Sequence, residues 1–244
     1  MGQFLKDDIP RIRMMVLETD EPVPDTLKEK GRLSDILHHH FTKAGEQHDP
    51  PLGIETDEIF VITEKGGKVP KSEEFEDIHC VLITGSMHDA HGDNPWILEL
   101  LDLLRELYLR RPDCTLSGVC FGHQLICRLF GAKLFRICED VVFLYQMHRN
   151  HVVAPPTFDS SDGLLEPGAK VHVWGSSKHT KVQGVFIANR VFTTQAHLAF
   201  DEYLVHRQIE ARIESGGIRD LEHADKAKET AHWEQMGTWL RPPS

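Results

Sequence analysis

Ser117-Gly118-Val119-Cys120-Phe121-Gly122-His123-Gln124 joins a short apolar run, residues 115–119, to an apolar stretch at helical spacing, residues 124–130. That order predicts a buried strand, a sharp turn and a helix. The glycines two positions either side of Cys120 are what such a nucleophile elbow requires. The central residue takes a strained backbone conformation that exposes its side chain above the sheet, and a Cβ at position 118 or 122 would collide with the turn. The helix that starts after Cys120 points its free N–H groups and positive dipole end at the sulfur, which is expected to lower the thiol pKa and to stabilise an oxyanion nearby. The N–H of Phe121 is the natural first oxyanion donor. Taken alone, G-x-C-x-G also suits a small buried cysteine at a strand end. The strand-turn-helix setting and the following His123-Gln124 favour a nucleophile.

Outward from this turn, short apolar runs alternate with helical patterns. Strands are predicted at residues 12–17, 58–63 and 80–84, and a helix begins near Pro95, with apolar residues at helical spacing to Tyr108. Beyond Gly131, residues 141–147, 171–174, 182–187 and 190–194 read as strands of an antiparallel or mixed region, with turns at Pro155-Pro156 and Asp162-Gly163. Two polar-rich helices, about 201–214 and 220–235, finish the chain. The fold class is therefore α/β, a doubly wound and mostly parallel sheet with flanking helices. With no repeat or linker, residues 1–244 read as one domain, the helices of 201–236 being part of it or appended. The polar stretch 45–57 reads as a surface loop or insertion, and His38-His39-His40 as the exposed end of a polar helix.

The 244 residues carry a formal charge of −11 and 40% hydrophobic content. That is enough apolar material for a substantial core, and the overall field would repel a nucleic-acid backbone or an anionic membrane. No run approaches the roughly 20 apolar residues that cross a bilayer, and the N-terminus has no apolar signal core, so a cytoplasmic protein is expected. Cys80, Cys114, Cys120, Cys127 and Cys138 are odd in number and form no C-x-x-C pair. This spacing argues against a disulfide scaffold and against structural zinc. His88, Asp89, His91 and Asp93 could be offered as a metal cluster, but Gly92 and Asn94-Pro95 make the segment a loop without helical spacing; a substrate-facing loop is the better reading.

The segment Gly118 to Gln124 resembles the nucleophile turn of the class I glutamine amidotransferases. Ile83-Thr84-Gly85-Ser86-Met87-His88-Asp89-Ala90-His91, followed by Trp96-Ile97, is similar to a stretch of the plant γ-glutamyl peptidases, stand-alone members of that superfamily. So is Phe121-Gly122-His123-Gln124-Leu125-Ile126-Cys127-Arg128. The likeness runs from about Met14 to Tyr203 and leaves the last two helices unassigned. It implies a flavodoxin-like core and a papain-like chemistry, in which the Cys120 thiolate attacks a γ-glutamyl amide and the thioester is resolved by water or another amine. It places the second oxyanion N–H in the Gly85-Ser86 turn, which by its local pattern is also compatible with an ordinary strand end.

The family's base lies in a His-Pro-Glu motif preceded by Gln two residues earlier; here Gln195-Ala196-His197-Leu198-Ala199 puts His197 in that place. Ala199 stands where the orienting glutamate belongs, and alanine cannot accept a hydrogen bond from imidazole. Either the chain works as a Cys120–His197 dyad, or a carboxylate from elsewhere reaches the ring, Asp201 and Glu202 being nearest in sequence, or hydrolysis has been lost and the thiol serves another reaction. Tyr145 to His151 resembles the segment beside the family's glutamyl pocket. Gln124, Gln146 and His148 are thus candidates for holding the glutamyl α-amino and α-carboxylate groups, although Arg149 and Asn150 equally suit a solvated face. No ATP, metal or organic cofactor is implied. Three functions follow: a γ-glutamyl hydrolase or transferase acting on glutathione-type peptides or conjugates; a glutaminase subunit feeding ammonia to a separate synthetase partner; or a repurposed lyase, isomerase or binding protein of specialised metabolism. The absence of a synthetase-like second region favours the first over the second.

Overall fold

A computed structural model describes residues 9–136, 150–177, 180–229 and 231. Its centre is a seven-stranded sheet in the order β2-β1-β3-β4-β9-β8-β7, formed by β1 (Arg11–Glu18), β2 (Gly53–Phe60), β3 (Cys80–Ile83), β4 (Thr115–Val119), β7 (His172–Gly175), β8 (Gly184–Ile187) and β9 (Val191–Thr194). The five strands from β2 to β9 in that order pair parallel. The last two pairings, β9 with β8 and β8 with β7, are antiparallel. A separate two-stranded ladder joins β5 (Leu134–Arg136) to β6 (Asn150–Val152).

Alternation along the inner strands sends side chains to both faces, as a doubly covered sheet demands. Met15 and Leu17 of β1, with Val81 and Ile83 of β3, enter the main core, which α3 (Pro95–Arg110) and α4 (Phe121–Leu129) cover with Trp96, Ile97, Leu100, Leu104, Phe121 and Leu125. Met14, Val16 and Leu82 face the other way and pack on Leu37 of α2 (Leu33–Glu46). The start of α2 is anchored by a buried carboxylate at the end of β1. Glu18 accepts hydrogen bonds from the Ser34 N–H and Oγ at 3.0 and 2.9 Å and pairs with Arg32 at 3.0 Å, which satisfies donors that a helix N-terminus leaves open. Helix α1 (Pro24–Lys30) precedes it, and α5 (Glu202–Glu214) and α6 (Leu221–Glu229) pack together around Val205, Ile209, Ile218, Ala224 and Ala227.

Three readings of the sequence need correction. The second strand is residues 53–60, not 58–63, so residues 53–57 of the polar stretch 45–57 are strand and not loop. Its polarity comes from its place at the sheet edge, where one side meets solvent and only Arg11 to Glu18 pair with it. His38 to His40 sit in the middle of α2, not at its end, and His38 Nδ1 lies 2.9 Å from Thr56 Oγ1. Helix α4 is residues 121–129, not 124–130: it begins at Phe121, directly after the cysteine, as the turn at Cys120 leads one to expect. The predicted strand at 141–147 lies outside the described residues. Among the described residues no helix is long and apolar enough to cross a membrane.

Candidate active site

The parallel strands deliver their loops to one end of the sheet. Residues after β1, β3, β4 and β9 meet there, at the carboxyl ends of strands around the order reversal 2-1-3, the usual place for a site in this architecture. They line a cavity of about 300 Å³, with Asp20 and Glu21 from the first loop, Gly85, Ser86 and Met87 from the second, Cys120 from the third, and His197 to Phe200 from the fourth. Helix α5 closes it with Gln208, Ala211 and Arg212.

Cys120 occupies the turn with φ 53° and ψ −101°, a conformation L-residues avoid. The surroundings hold it there. Its N–H donates to Thr194 O at 2.8 Å, the Gln124 N–H donates to its carbonyl at 3.1 Å, and the Gly122 N–H donates to Thr84 O at 3.2 Å. The two flanking glycines are needed for contact, not for φ: a Cβ at Gly118 would strike the backbone of Gly122, and one at Gly122 would strike the carbonyl of Ile83. The elbow is thus wedged against β3.

That wedge also places the Gly85 turn. Thr19 donates its N–H to Thr84 Oγ1 at 2.9 Å and its hydroxyl lies 3.0 Å from the same atom, while Asp20 accepts from the Met87 N–H at 2.7 Å. Farther along, Arg128 of α4 donates to Ala90 O and Gly92 O at 2.8 Å each and pairs with Asp93. Asp89 accepts from the His91 N–H and from Asn150, both at 2.8 Å. Those carboxylates hold the loop together, and among the described residues no three metal-ligating side chains converge. Of this loop only Gly85, Ser86 and Met87 reach the cavity wall; His88 instead sets its ring edge-on to Trp96.

The ring of His197 lies directly over Gly85. A Cβ on that glycine would come within 2.7 Å of His197 Cε1 and 3.5 Å of Cys120 Cβ, so the space beside residue 85 is where thiol and imidazole approach each other. Phe200 stacks on the ring at 4.3 Å between centroids and 24° between planes. Ala199 packs against the apolar group of Met14, Val16, Leu37 and Leu82. Asp201 caps α5, accepting from the Leu204 N–H at 2.9 Å, and its other oxygen pairs with Lys30 at 3.0 Å. Both oxygens of that candidate acid are thereby engaged elsewhere, and Glu202 points from the exposed first turn of α5.

The expected lowering of the thiol pKa is overturned. Burial pushes Cys120 up to about 11; the positive charge of Arg212, the Phe121 N–H and the Gln195 side chain each pull it back without compensating. Removing a sulfur with 4% exposure from water outweighs the partial charge of one helix end. Cys120 is thus a neutral thiol at rest. Iodoacetamide labelling of Cys120, followed by peptide mass spectrometry against pH, is therefore expected to keep accelerating above pH 9. A plateau at about pH 8 or below would mean a preformed thiolate.

Gln124 does not reach the cavity. It is buried, and its Nε2 donates to Asn150 O at 2.7 Å and to Gln195 Oε1 at 3.0 Å, bridging α4 to the strand that carries His197. That fixes the Gln195 amide with its Nε2 buried and without a full hydrogen bond, placed to act on the Cys120 sulfur. Gln146 and His148 lie outside the described residues. What sequence reasoning missed is the wall from α5: Gln208 and Arg212 belong to a helix of evenly mixed charge, and nothing in its pattern separates Arg212 from Arg207.

No family model matches the chain. It is 25% identical over 240 residues to γ-glutamyl peptidase 2 of Arabidopsis thaliana, covering 91% of this chain and 90% of that one. It is 24% identical over 215 residues to a putative glutamine amidotransferase-like protein of Schizosaccharomyces pombe, covering 80% and 82%. A glutamine amidotransferase structure from Thermotoga maritima superimposes with a TM-score of 0.57 at 16% identity, over 90% of this chain and 91% of that one. The chain is thus similar in sequence to γ-glutamyl peptidases and glutamine amidotransferase-like proteins, and shares its fold with glutamine amidotransferases. The elbow after β4, the glycine turn after β3 and the histidine after β9 occupy one end of the sheet. Ala199 is where this chain differs from the His-Pro-Glu motif that the resemblance led one to expect.

Proposed function

We propose that the chain is a cysteine-dependent γ-glutamyl hydrolase or transferase acting on glutathione-type peptides or conjugates. The observation that carries this reading is Cys120, on a strained turn in the wall of a cavity, with the ring of His197 beside it across Gly85. His197 takes the thiol proton as Sγ attacks the γ-carbonyl carbon. The C–S bond forms and the carbonyl pair moves to oxygen, where N–H groups of Phe121 and of the Gly85-Ser86 turn donate to it. Collapse breaks the C–N bond, and His197 returns the proton to the leaving amine. Water, losing its proton to His197, then attacks the thioester; the C–O bond forms, the C–S bond breaks and the thiol is restored.

Arg212 supplies the positive charge that a carboxylate-bearing substrate needs inside an otherwise mostly apolar cavity. Iodoacetate and iodoacetamide differ in charge and scarcely in size, so their relative rates at Cys120 report that field without any assumption about the substrate. Arg212→Gln is expected to lower the iodoacetate-to-iodoacetamide ratio about five-fold; an unchanged ratio would remove Arg212 from substrate recognition.

The reaction itself is tested by incubating the protein with glutathione, a glutathione S-conjugate and glutamine, and following products and intact mass. A γ-glutamyl adduct on the chain, with release of the corresponding amine, is expected from the first two. Preference for glutamine, rising when a synthetase is added, would instead indicate a glutaminase subunit. Ala199 favours one further reading, a repurposed enzyme, because the apolar packing at that position leaves no carboxylate there to serve hydrolysis; no turnover of any γ-glutamyl compound would select it.

A further inference from the structure

We infer that Phe200 is the positioning residue of His197, and that through Phe200 the C-terminal helix pair α5–α6 buttresses the base. This takes His197 as the base of the proposed reaction and adds what holds it. An imidazole turns about two side-chain torsions, and a base left to rotate spends little time aimed at the thiol. In a triad a carboxylate bonded to one ring nitrogen restrains both torsions. The position where the motif would put that carboxylate is Ala199, packed among Met14, Val16, Leu37 and Leu82, and the nearby Asp201 is spent on Lys30 and the α5 cap.

Two neighbours restrain the ring. At its Cε1 edge is Gly85, so close that even a methyl group there would stand 2.7 Å from Cε1. Over one face is the Phe200 ring, 4.3 Å between centroids and only 24° from parallel. Rotation of the imidazole about its last torsion would break the stack on Phe200, so the Phe200 ring sets the imidazole plane. The local chain makes the stack: the Phe200 N–H donates to His197 O at 3.3 Å, a turn that folds residue 200 back over residue 197.

Phe200 is itself half-buried and packs on the cluster of Val205, Ile209, Ile218, Ala224, Ala227 and Ala231. That cluster is built from α5, α6 and the link between them, and α5 is tied to α1 by Lys30–Asp201 at 3.0 Å and Arg207–Asp25 at 3.4 Å. The two helices thus form a support that meets the base through an aromatic plane. A plane fixes orientation and leaves the tautomer to other groups, which distinguishes this device from a carboxylate.

The test uses the full chain with histidine labelled for NMR, the His197 ring signals assigned by their loss in His197→Asn, together with steady-state hydrolysis of a γ-glutamyl peptide. Wild type and Phe200→Tyr are expected to show His197 ring protons moved upfield by the stacked aromatic, and Phe200→Leu to lose that shift. In Phe200→Leu kcat should fall about ten-fold with KM within about two-fold, and Phe200→Tyr should restore most of it. His197 signals at ordinary positions in wild type, or a Phe200→Leu enzyme with undiminished kcat, would overturn the inference. Should Phe200→Leu not fold, the wild-type and Phe200→Tyr spectra still decide it. A stacked His197 in a protein that turns over no γ-glutamyl compound would overturn the proposed reaction and leave the placement of the ring standing.

Discussion

Replacing Cys120 with alanine is expected to abolish γ-glutamyl turnover, by roughly 10³-fold or more, and to erase the acyl adduct, while leaving the fold intact. No other described cysteine can take over. Cys114 and Cys127 are buried away from the cavity, and Cys80 sits at the start of β3, where burial raises its pKa to about 12. What remains in the variant is the donor turn and His197, which can polarise a carbonyl and activate water but cannot form the thioester. The backbone should tolerate the change, since alanine and cysteine bear the same strain at φ 53° and the three hydrogen bonds that hold residue 120 and its elbow are made by the main chain. Product formation and intact mass, read beside a thermal midpoint, check both halves. Turnover within ten-fold of wild type would rule out the thioester route.

Gly122→Ala should act on the fold instead, destabilising it by about 3 kcal/mol. The added methyl would be driven into the Ile83 carbonyl and lie 2.8 Å from Ile83 Cβ, and neither can move freely. Ile83 ends β3, pairs with Gly118 on one side and Leu17 on the other, and has no exposed surface. Relief therefore means sliding α4 off the sheet, which also pulls Cys120 away from Gly85. Denaturant unfolding should show a lower midpoint at unchanged slope, with iodoacetamide labelling of Cys120 altered in the same variant. A midpoint equal to wild type would mean that the elbow has slack and that its glycines are not what presses it against β3.

The burial of the thiol governs its labelling in Gly122→Ala and Arg212→Gln. Because Cys120 is neutral at rest, labelling at neutral pH reports how readily the sulfur loses its proton as much as how open the cavity is. Comparisons between variants are best made across a pH range, with Arg212→Gln and Gly122→Ala measured beside wild type.

Much of the fold could be read from local pattern because its inner strands are buried on both faces. Continuous apolar runs at β1, β3 and β4, and the helical spacing of α3, leave little choice of element. The edge strand β2 could not be read that way. Its sequence GIETDEIF answers to solvent on one side, and only pairing with β1 over its whole length makes it a strand. The elbow was legible for a related reason: a strained turn restricts which residues may flank it, and that restriction is written in the two glycines.

By itself, then, the sequence determined the α/β order and the positions of the candidate nucleophile and candidate base, since each depends on a few neighbouring residues obeying local steric rules. The tertiary structure decided the ionisation of Cys120, the diversion of Gln124 and Asp201 to structural bonds, and the arrival of Arg212 and Phe200 at the cavity. Desolvation and through-space contact depend on which surfaces come together across the fold, and residues 71 to 182 positions apart carry no local mark of meeting.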